Sequence, residues 1–285
     1  MSIDLHMHST ASDGTDAPAG LVARVKAAGL SAMALTDHDT TAGLPACAAA
    51  AAELGITFVP GIELSADMVS IAPANPTGTL HILGYHVRHD SEKLRRVTES
   101  LNVARAARNP RIVDALNALG VDITLEEVEA EAAGGVIGRP HIAAVLVRHR
   151  YADSIAEAFK RYIGIGGAAY HRKDNLSAHG AIEAIHEAGG VAVLAHPVQM
   201  RCIDETDFQR RLERLVEWGL DGIEIWHSDH QPHHTQQYQA AADQFDLIVT
   251  GGSDYHGERK TVPLGAYEVP EWVLERLAAV VGTSA

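Results

Sequence analysis

The sequence predicts an α/β fold in which repeated strand–helix units build a parallel, barrel-like sheet. Short apolar runs with the two-residue period of strands alternate with longer runs that have helical periodicity. Glycine ends the first two helical runs, at Gly29 and Gly55. About seven such units follow one another along the 285 residues, an order that favours a barrel over an antiparallel sandwich.

Four predicted strands precede any break in this rhythm. In the first, Ile3, Leu5 and Met7 alternate with Asp4, His6 and His8, so that the two sets point to opposite faces. A helix over 18–28 leads to the strand SAMALTDHD. A helix over 41–54 leads to the strand ITFVPGIELS, and TLHILGYHV is the fourth strand.

Residues 91–171 interrupt the alternation and are mostly helical in pattern, with turns at Gly120 and at Gly134–Gly135. The segment is rich in arginine, including Arg105, Arg108 and Arg139. We therefore predict an inserted helical subdomain that binds substrate. Residues 1–90 and 172–285 are then expected to form the barrel.

The strand–helix rhythm resumes after the insertion. The predicted elements are a helix over 178–188, the strand GVAVLAHP, a helix over 204–218, the strand GIEIW, a helix over 233–245 and the strand LIVTGGSD. A late strand at GAYEV and a closing helix from Glu271 complete the prediction.

Composition and charge exclude several classes of protein. The formal net charge of −14 disfavours binding to duplex nucleic acid, although bound cations can still attract a phosphorylated substrate. Cys47 and Cys202 are too far apart for a CxxC site or a disulfide framework, which favours a reducing compartment. The sequence shows no secretory signal pattern and no apolar run of ~18 residues, so a cytoplasmic protein without a membrane span is expected.

Histidines and carboxylates recur where predicted strands end. The positions are His6 and His8; Asp37, His38 and Asp39; Glu63; His81; His196; Glu224 and His227; Asp254 and His256. The carboxyl ends of parallel barrel strands open on one face, so these side chains should converge. Mixed imidazole and carboxylate ligands suit Zn²⁺, Mn²⁺ or Fe²⁺. The number of candidates predicts two or three ions, with Glu63 bridging two of them.

Other common catalytic motifs are missing from the sequence, including the GxSxG nucleophile elbow, the Walker loop and the dinucleotide fingerprint. In contrast, five ordered motifs, DLHMHST, TDHDT, GIELS, LAHP and GGSDYHG, resemble the signatures of the PHP (polymerase and histidinol phosphatase) superfamily. The resemblance implies a distorted seven-stranded (β/α)7 TIM-like barrel. It also implies a trinuclear metal site and phosphoester cleavage.

The resemblance also implies which residues bind which ion. The first ion would be held by His6, His8, Glu63 and Asp254, the second by Glu63, His81 and His196, and the third by Asp13, His38 and His256. All of these positions carry competent ligands. Three divalent ions are expected, with Mn²⁺ first and Zn²⁺ or Fe²⁺ as possibilities.

The helical insertion, with GRPHIA and AYHRK, resembles a subgroup that includes nucleoside 3′,5′-bisphosphate phosphatases and 5′→3′ exonucleases on short RNA. We therefore predict removal of the 3′-phosphate from a nucleoside 3′,5′-bisphosphate, such as adenosine 3′,5′-bisphosphate to AMP, by attack of a metal-bridging hydroxide. Asp254 would accept a proton, and His196 or His227 would protonate the leaving oxygen. The predicted substrate contacts are Arg139, His141, His171, Lys173, Arg108 and Arg111.

Four alternatives remain at this point. Two are phosphoesterases: a 5′→3′ exonuclease on short RNA or DNA oligonucleotides, and a histidinol-phosphatase-like enzyme. A third is amidohydrolase-type C–N hydrolysis, whose barrels also begin with HxH but usually add a lysine at a strand end, which this sequence lacks. The fourth is a non-catalytic metal-binding PHP module, against which the complete ligand set and the lack of an attached domain argue.

Overall fold

The computed structural model describes residues 2–74, 76 and 78–283, and it confirms the predicted α/β barrel class. Seven strands form a nearly closed, barrel-shaped sheet. In spatial order they are β1 (Ile3–Asp4), β2 (Ala32–Leu35), β3 (Thr57–Asp67), β4 (Leu80–Tyr85), β6 (Val191–Leu194), β7 (Gly222–Trp226) and β8 (Ile248–Gly251). A short strand, β5 (Leu176–Ser177), pairs with the end of β3.

One barrel strand runs against the others. Strand β4 pairs antiparallel with both neighbours, placing His81 opposite Ser65 and Leu83 opposite Val193. The expectation of an all-parallel sheet is therefore wrong at this strand. Because β4 is reversed, its first residues lie at the edge where β3 and β6 end. His81, the second residue of β4, thus reaches the mouth of the barrel from the start of a strand.

The seam between β1 and β8 is closed by single backbone hydrogen bonds beyond the short β1. The amide of Leu5 donates to Gly251 at 3.2 Å, and the amide of Asp254 donates to His6 at 2.8 Å. The predicted late strand GAYEV is wrong, since it contributes only an isolated bridge between Ile3 and Val269. Gly265, at its start, has a left-handed φ of 67°, which is incompatible with extended backbone.

Alternating side chains divide the barrel core into two layers. Ala32, Ala34, Leu83 and Val193 belong to an inner cluster, whereas neighbouring Met33 and Leu35 pack outward against helices. The outer helices are α1 (Pro18–Ala27), α2 (Leu44–Leu54), α7 (Ala178–Glu187), α8 (Glu205–Glu217), α9 (Pro232–Phe245) and α10 (Trp272–Thr283). Inner apolar residues fill the barrel below its mouth.

Four helices lie between β4 and β5. They are α3 (Glu92–Ala118), α4 (Leu125–Ala132), α5 (Arg139–Arg148) and α6 (Ile155–Ala158), and Phe159–Ile163 continues α6 as a π-helical turn. Ile112, Leu116, Val128, Ile142 and Leu146 belong to a separate hydrophobic cluster formed by these helices. None of the helices in the described ranges is long and apolar enough to cross a membrane.

Candidate metal centre

The structure brings the nine predicted metal ligands together at the mouth of the barrel. They form overlapping groups whose potential ligand atoms lie within 4.8 Å of one another. The ring centroids of His8 and His256 are 4.1 Å apart, and those of His8 and His38 are 4.6 Å apart. The set is His6, His8, Asp13, His38, Glu63, His81, His196, Asp254 and His256, and only His38 and His81 are more than slightly exposed. Residues scattered over 250 positions therefore share one small volume.

Glu63 lies between two groups of imidazoles. Its Oε1 is 2.6 Å from Nδ1 of His81 and 2.9 Å from Nε2 of His196. Its Oε2 is 3.2 Å from Nε2 of both His6 and His8, and 3.3 Å from Nδ1 of His38. A carboxylate whose two oxygens face separate nitrogen groups is suited to bridging two ions.

Asp13 faces a third group, formed by His8, His38 and His256. Its Oδ1 is 3.4 Å from Nε2 of His256 and 3.7 Å from Nδ1 of His8, while Oδ2 is 3.8 Å from Nε2 of His38. The Nδ1 of His256 contacts the carbonyl of Asp254 at 2.8 Å, which directs its Nε2 toward Asp13. These separations leave room for an ion between the side chains.

Asp254 presents its two oxygens to different partners. Oδ1 lies 3.2 Å from Nε2 of His8 and 3.5 Å from Nε2 of His6. Oδ2 lies 3.2 Å from Nε2 of His227 and also contacts Nζ of Lys260. Nδ1 of His227 accepts the amide of Asp229, so the Nε2 of His227 carries its proton toward Asp254. In this arrangement His227 donates to Asp254.

Two candidate ligands have left-handed backbone conformations. His196 follows β6 with a φ of 26°, and Asp254 follows β8 with a φ of 54°. Non-glycine residues rarely adopt such angles, which cost of order 1–3 kcal/mol. At both strand ends the strained turn directs the side chain into the barrel mouth rather than along the strand.

Buried carboxylates behind the predicted ligands fix the ligands' orientation. Glu224 accepts from Nδ1 of His6 at 2.9 Å and from the amide of His196 at 2.7 Å. Asp4 accepts the amide of Ser253, next to Asp254, at 2.9 Å. Because the Nδ1–H of His6 donates a hydrogen bond to Glu224, the Nε2 of His6 has a free lone pair and can bind a metal ion. The sequence places Glu224 at a strand end, but its role behind His6 depends on contacts across 218 residues.

Asp39 links the barrel to the helical insertion. Its Oδ2 accepts from Nε of Arg105 at 3.0 Å and from Nζ of Lys173 at 3.2 Å, and its Oδ1 accepts the amide of Ser65 at 2.7 Å. Burial opposes ionisation of Asp39, but Arg105 and Lys173 hold its pKa well below the usual value. Asp39 is therefore a buried ion-pair centre. Sequence reasoning did not assign Arg105 this role.

Whether the site fits metal ions can be judged from its buried ring nitrogens and from the pKa shifts of its histidines. Both ring nitrogens of His8 and Nδ1 of both His38 and His196 are buried without a hydrogen bond in the described structure. Burial lowers the pKa of His8, but contacts with Asp254 and Glu63 raise it to about 9. Burial lowers the pKa of His38 to about 3. Buried imidazoles without partners, facing carboxylates, fit divalent ions.

The predicted substrate residues Arg108 and Arg139 lie near Arg105, which pairs with Asp39. Arg108 is buried, and its guanidinium donates to Oδ1 of Asn109 at 2.8 and 3.2 Å. Arg139 lies over the rings of Phe159 and Tyr170, 5.5 and 5.8 Å from their centroids. Burial, with the positive charges of Arg105 and Arg139, lowers the pKa of Arg108 to about 9. Neither guanidinium pairs with a carboxylate of the described residues, so each can still bind an anion.

The remaining predicted substrate residues differ in their surroundings. Burial and the charge of Arg105 lower the pKa of Lys173 to about 7. Nδ1 of His141 accepts the amide of Gly138 at 3.0 Å, and burial lowers the pKa of His141 to about 4. His171 is half-buried, and no hydrogen bond joins it to the described site. Arg111 is exposed on α3 and does not join Arg105 and Arg108.

Two cations that the sequence analysis did not predict lie in the loop after β8. Arg259 donates to the carbonyl of Asp13 at 2.7 Å and to Oε1 of Glu131 at 3.0 Å, which ties the barrel to α4. Lys260 contacts Asp254. No local pattern marks either residue, because both contacts depend on how the loop folds over the barrel.

A cavity of about 520 Å³ lies between the barrel loops and the insertion. Its polar lining residues include Thr10, Thr40, Asn102, Arg105 and Asn109. Thr10 and Thr40 each follow a predicted metal ligand by two positions. Oδ1 of Asn102, a lining residue, is buried without a hydrogen-bond partner among the described residues.

Comparison with known proteins identifies relatives that match most of this chain. A family model of the PHP domain matches residues 4–188. A 5′-3′ exoribonuclease of Haemophilus influenzae is 33% identical over 92% of this chain and 92% of its own length. A phosphoribosyl 1,2-cyclic phosphate 1,2-diphosphodiesterase of Eggerthella lenta is 34% identical over 94% of this chain and 98% of its own. A 3′,5′-nucleoside bisphosphate phosphatase of Chromobacterium violaceum is 30% identical over 90% and 87%.

The fold also matches a solved structure along nearly its whole length. A protein of Bifidobacterium adolescentis described as a metal-dependent phosphoesterase aligns with a TM-score of 0.86 and 31% identity. The alignment covers 97% of this chain and 95% of that chain. The alignment therefore extends over both the barrel strands and the helices between β4 and β5.

Proposed function

The chain belongs to the PHP domain family and is a phosphoric ester hydrolase, and we propose that it removes the 3′-phosphate of nucleoside 3′,5′-bisphosphates. One observation carries the choice of substrate. The guanidinium groups of buried Arg108 and half-buried Arg139 have no carboxylate partner in the described structure, and both lie near Arg105, which pairs with Asp39. A substrate with two phosphates needs one site for cleavage and a second for binding.

Three divalent ions, Mn²⁺ by preference, would be held by the nine residues at the barrel mouth, with Glu63 shared between two of them. Bound ions would supply positive charge that stabilises a phosphoryl group and lowers the pKa of water. Among this chain's residues, Glu224 orients His6, and Asp254 is placed to accept a proton. His227, whose Nε2–H donates to Asp254, would release that proton to the leaving oxygen once the substrate is bound.

The phosphate that is not cleaved would bind in the insertion. Arg108 and Arg139 offer charge-assisted hydrogen bonds there, and Lys173 adds a third cation from the segment that returns to the barrel. His141 and His171 would contact the sugar or base. These three cations lie close together in a protein of formal net charge −14, an arrangement that suits a small anion better than a long duplex.

The test compares bisphosphate and monophosphate substrates in Arg108→Gln. With Mn²⁺, wild-type protein should release phosphate from adenosine 3′,5′-bisphosphate. Losing one charged hydrogen-bond donor costs about 1.5–3 kcal/mol, so kcat/KM for the bisphosphate should fall roughly 10–100-fold. The rate for adenosine 3′-monophosphate, which lacks the second phosphate, should change little.

Two variants on the same helix serve as references. Arg95 is exposed and paired with Glu99, so Arg95→Gln should leave both substrates unaffected. Arg111→Gln separates the two expectations, because the sequence pattern predicts a substrate contact and the exposed side chain predicts none. Failure of the wild-type protein to hydrolyse the bisphosphate, or an equal loss on both substrates in Arg108→Gln, would contradict the proposal.

A second candidate, 5′→3′ cleavage of short oligonucleotides, is favoured by the cavity of about 520 Å³. This cavity could accommodate a further nucleotide beside Thr10 and Thr40, with Asn102 and Arg105 as polar contacts. The similarity to an exoribonuclease supports this candidate as well. Short 5′-phosphorylated RNA should then yield mononucleotides, and Asn102→Leu should slow this reaction without affecting the bisphosphate. Intact RNA after prolonged incubation with active enzyme would exclude it.

A further inference from the structure

The loop after β8 brings a lysine directly onto a predicted metal ligand. A 3-10 turn over Gly257–Arg259 leads into Lys260, whose Nζ contacts Oδ2 of Asp254. Within residues 2–74, 76 and 78–283, Lys260 is the only lysine or arginine that forms an ion pair with any of the nine predicted ligands. The nearby cations Arg105 and Lys173 pair with Asp39 instead.

Lys260 approaches from the solvent side of the site. Its side chain is 36% exposed, whereas the side chain of Asp254 is only 5% exposed. Oδ1 of Asp254 faces inward, toward His8 and His6, and Oδ2 faces Lys260 and His227. The ammonium group is therefore placed at the boundary between the buried ligands and the open mouth of the barrel.

A cation at this position does not help to bind metal ions. Positive charge beside a ligand carboxylate weakens that carboxylate's attraction for a divalent ion, because the two cations repel each other. Asp254 already has imidazole partners on both oxygens, so it does not need a lysine for hydrogen bonding. A partly exposed lysine side chain beside the site is instead suited to an anion that enters from the mouth.

We propose that Lys260 is a catalytic residue that contacts the phosphoryl group during hydrolysis. Its ammonium would donate a hydrogen bond to a non-bridging oxygen of the phosphate being cleaved. Water forms the new bond to phosphorus, the bond to the leaving alcohol breaks, and that alcohol takes up a proton. Lys260 keeps its own protons throughout, so its contribution is charge stabilisation. This inference rests on the proposed phosphoesterase function of the site.

The experiment measures turnover and metal binding separately in Lys260→Met. Removing one preorganised donor to a transition-state oxygen should lower kcat/KM roughly 10²–10³-fold. Mn²⁺ affinity, measured by equilibrium dialysis, should stay the same or increase, because a repelling charge has gone. The inhibition constant of inorganic phosphate should rise. Lys260→Arg keeps the charge and should restore part of the activity.

A lysine outside the site serves as the control, and specific results would overturn the proposal. Lys93 also pairs with carboxylates, Glu183 and Glu187, but on the outside of the barrel, so Lys93→Met should behave as wild type. If Lys260→Met kept its rate within threefold, or recovered fully in excess Mn²⁺, Lys260 would not contact the phosphoryl group. If wild-type protein hydrolysed no phosphate ester at all, the proposed function itself would fail.

Discussion

Replacing Glu63 by Gln should separate metal binding from folding more clearly than any other change in the site. The substitution preserves the shape of the side chain, but it removes a charge that is 1% exposed. It also replaces one oxygen by an N–H₂ group. Each oxygen of Glu63 faces its own group of imidazole nitrogens at 2.6–3.3 Å, so either orientation of the amide disrupts one group.

The size of the expected fall in activity follows from the position of Glu63 between two predicted ions. Loss of a group that only supports a metal ligand costs about 10–100-fold in affinity or activity. Glu63 faces two predicted ion positions directly, so kcat/KM should fall by more than about 10²-fold, which corresponds to at least about 2.7 kcal/mol. Bound Mn²⁺ should fall by at least one ion per chain when measured by equilibrium dialysis and elemental analysis.

Thermal unfolding measured with and without metal gives an independent readout. A free Mn²⁺ concentration 100-fold above the dissociation constant stabilises the folded state by about 2.7 kcal/mol per site, so wild-type protein should melt several degrees higher with metal than with chelator. Glu63→Gln should lose most of that increase. In chelator the variant should differ less from wild type than it does with metal, because no bound ion is lost there. Removing the charge still breaks contacts with the surrounding imidazoles, which hold the pKa of Glu63 below its usual value.

Glu53, exposed on α2, provides the matched control as Glu53→Gln. Two results would refute the reasoning about Glu63. One is a Glu63→Gln variant that binds as much Mn²⁺ as wild type and turns over within threefold of its rate. The other is an equal loss of stability with and without metal, which would indicate a role in packing alone.

Two further changes test the surroundings of the site. Glu224→Gln should weaken Mn²⁺ binding about 10–100-fold without unfolding the protein, and unchanged affinity in dialysis would show that Glu224 does not orient His6. Lys173, with its pKa lowered to about 7, should lose its charge as the pH rises through neutrality, so the KM for the bisphosphate should rise above pH 7. Lys173→Arg should flatten that profile, and an identical profile in both proteins would exclude Lys173 as the titrating group. Because Lys173 titrates lower in the folded than in the unfolded chain, its contribution to stability should increase as the pH rises from about 7 toward the unfolded value.

The sequence was sufficient to predict the barrel and the convergence of its strand-end residues. Local alternation places His6 and His8 on one face, and the order of strand and helix signals predicts a common mouth. The strand-end pattern grouped His81 with the other ligands, but this residue reaches the mouth from the start of a reversed strand. Periodicity reveals that a strand exists but carries no information about its direction.

Contacts between distant parts of the chain account for what the sequence pattern missed. Arg108 and Arg111 look equivalent along the chain, but only Arg108 is buried, since the packed face of α3 is set by the barrel and the insertion together. Asp39, Arg105 and Lys260 acquire their partners only after folding. The local pattern also failed at GAYEV. This segment does not form the predicted strand, because the left-handed backbone at Gly265 is incompatible with extended structure.

The reversal of β4 also sets the length of a helix. A chain that enters β4 at the mouth leaves it at the far end of the barrel, so α3 has to travel the height of the barrel before it can reach the site. From Glu92 to Arg105 that distance is about 20 Å at 1.5 Å per residue, and all of α3 spans about 40 Å. Its first half packs on the barrel through Leu94 and Leu101, and its second half joins the core of the insertion.

The length of α3 therefore sets the distance between the base of the barrel and the residues that α3 places at its mouth. Arg105 and Arg108 occur where the helix passes from one core to the other. One residue added or removed before Arg105 would turn both guanidinium groups by about 100° around the helix axis and carry them away from Asp39. Variation in this protein's relatives should accordingly be tolerated in the sequence of α3 far better than in its length.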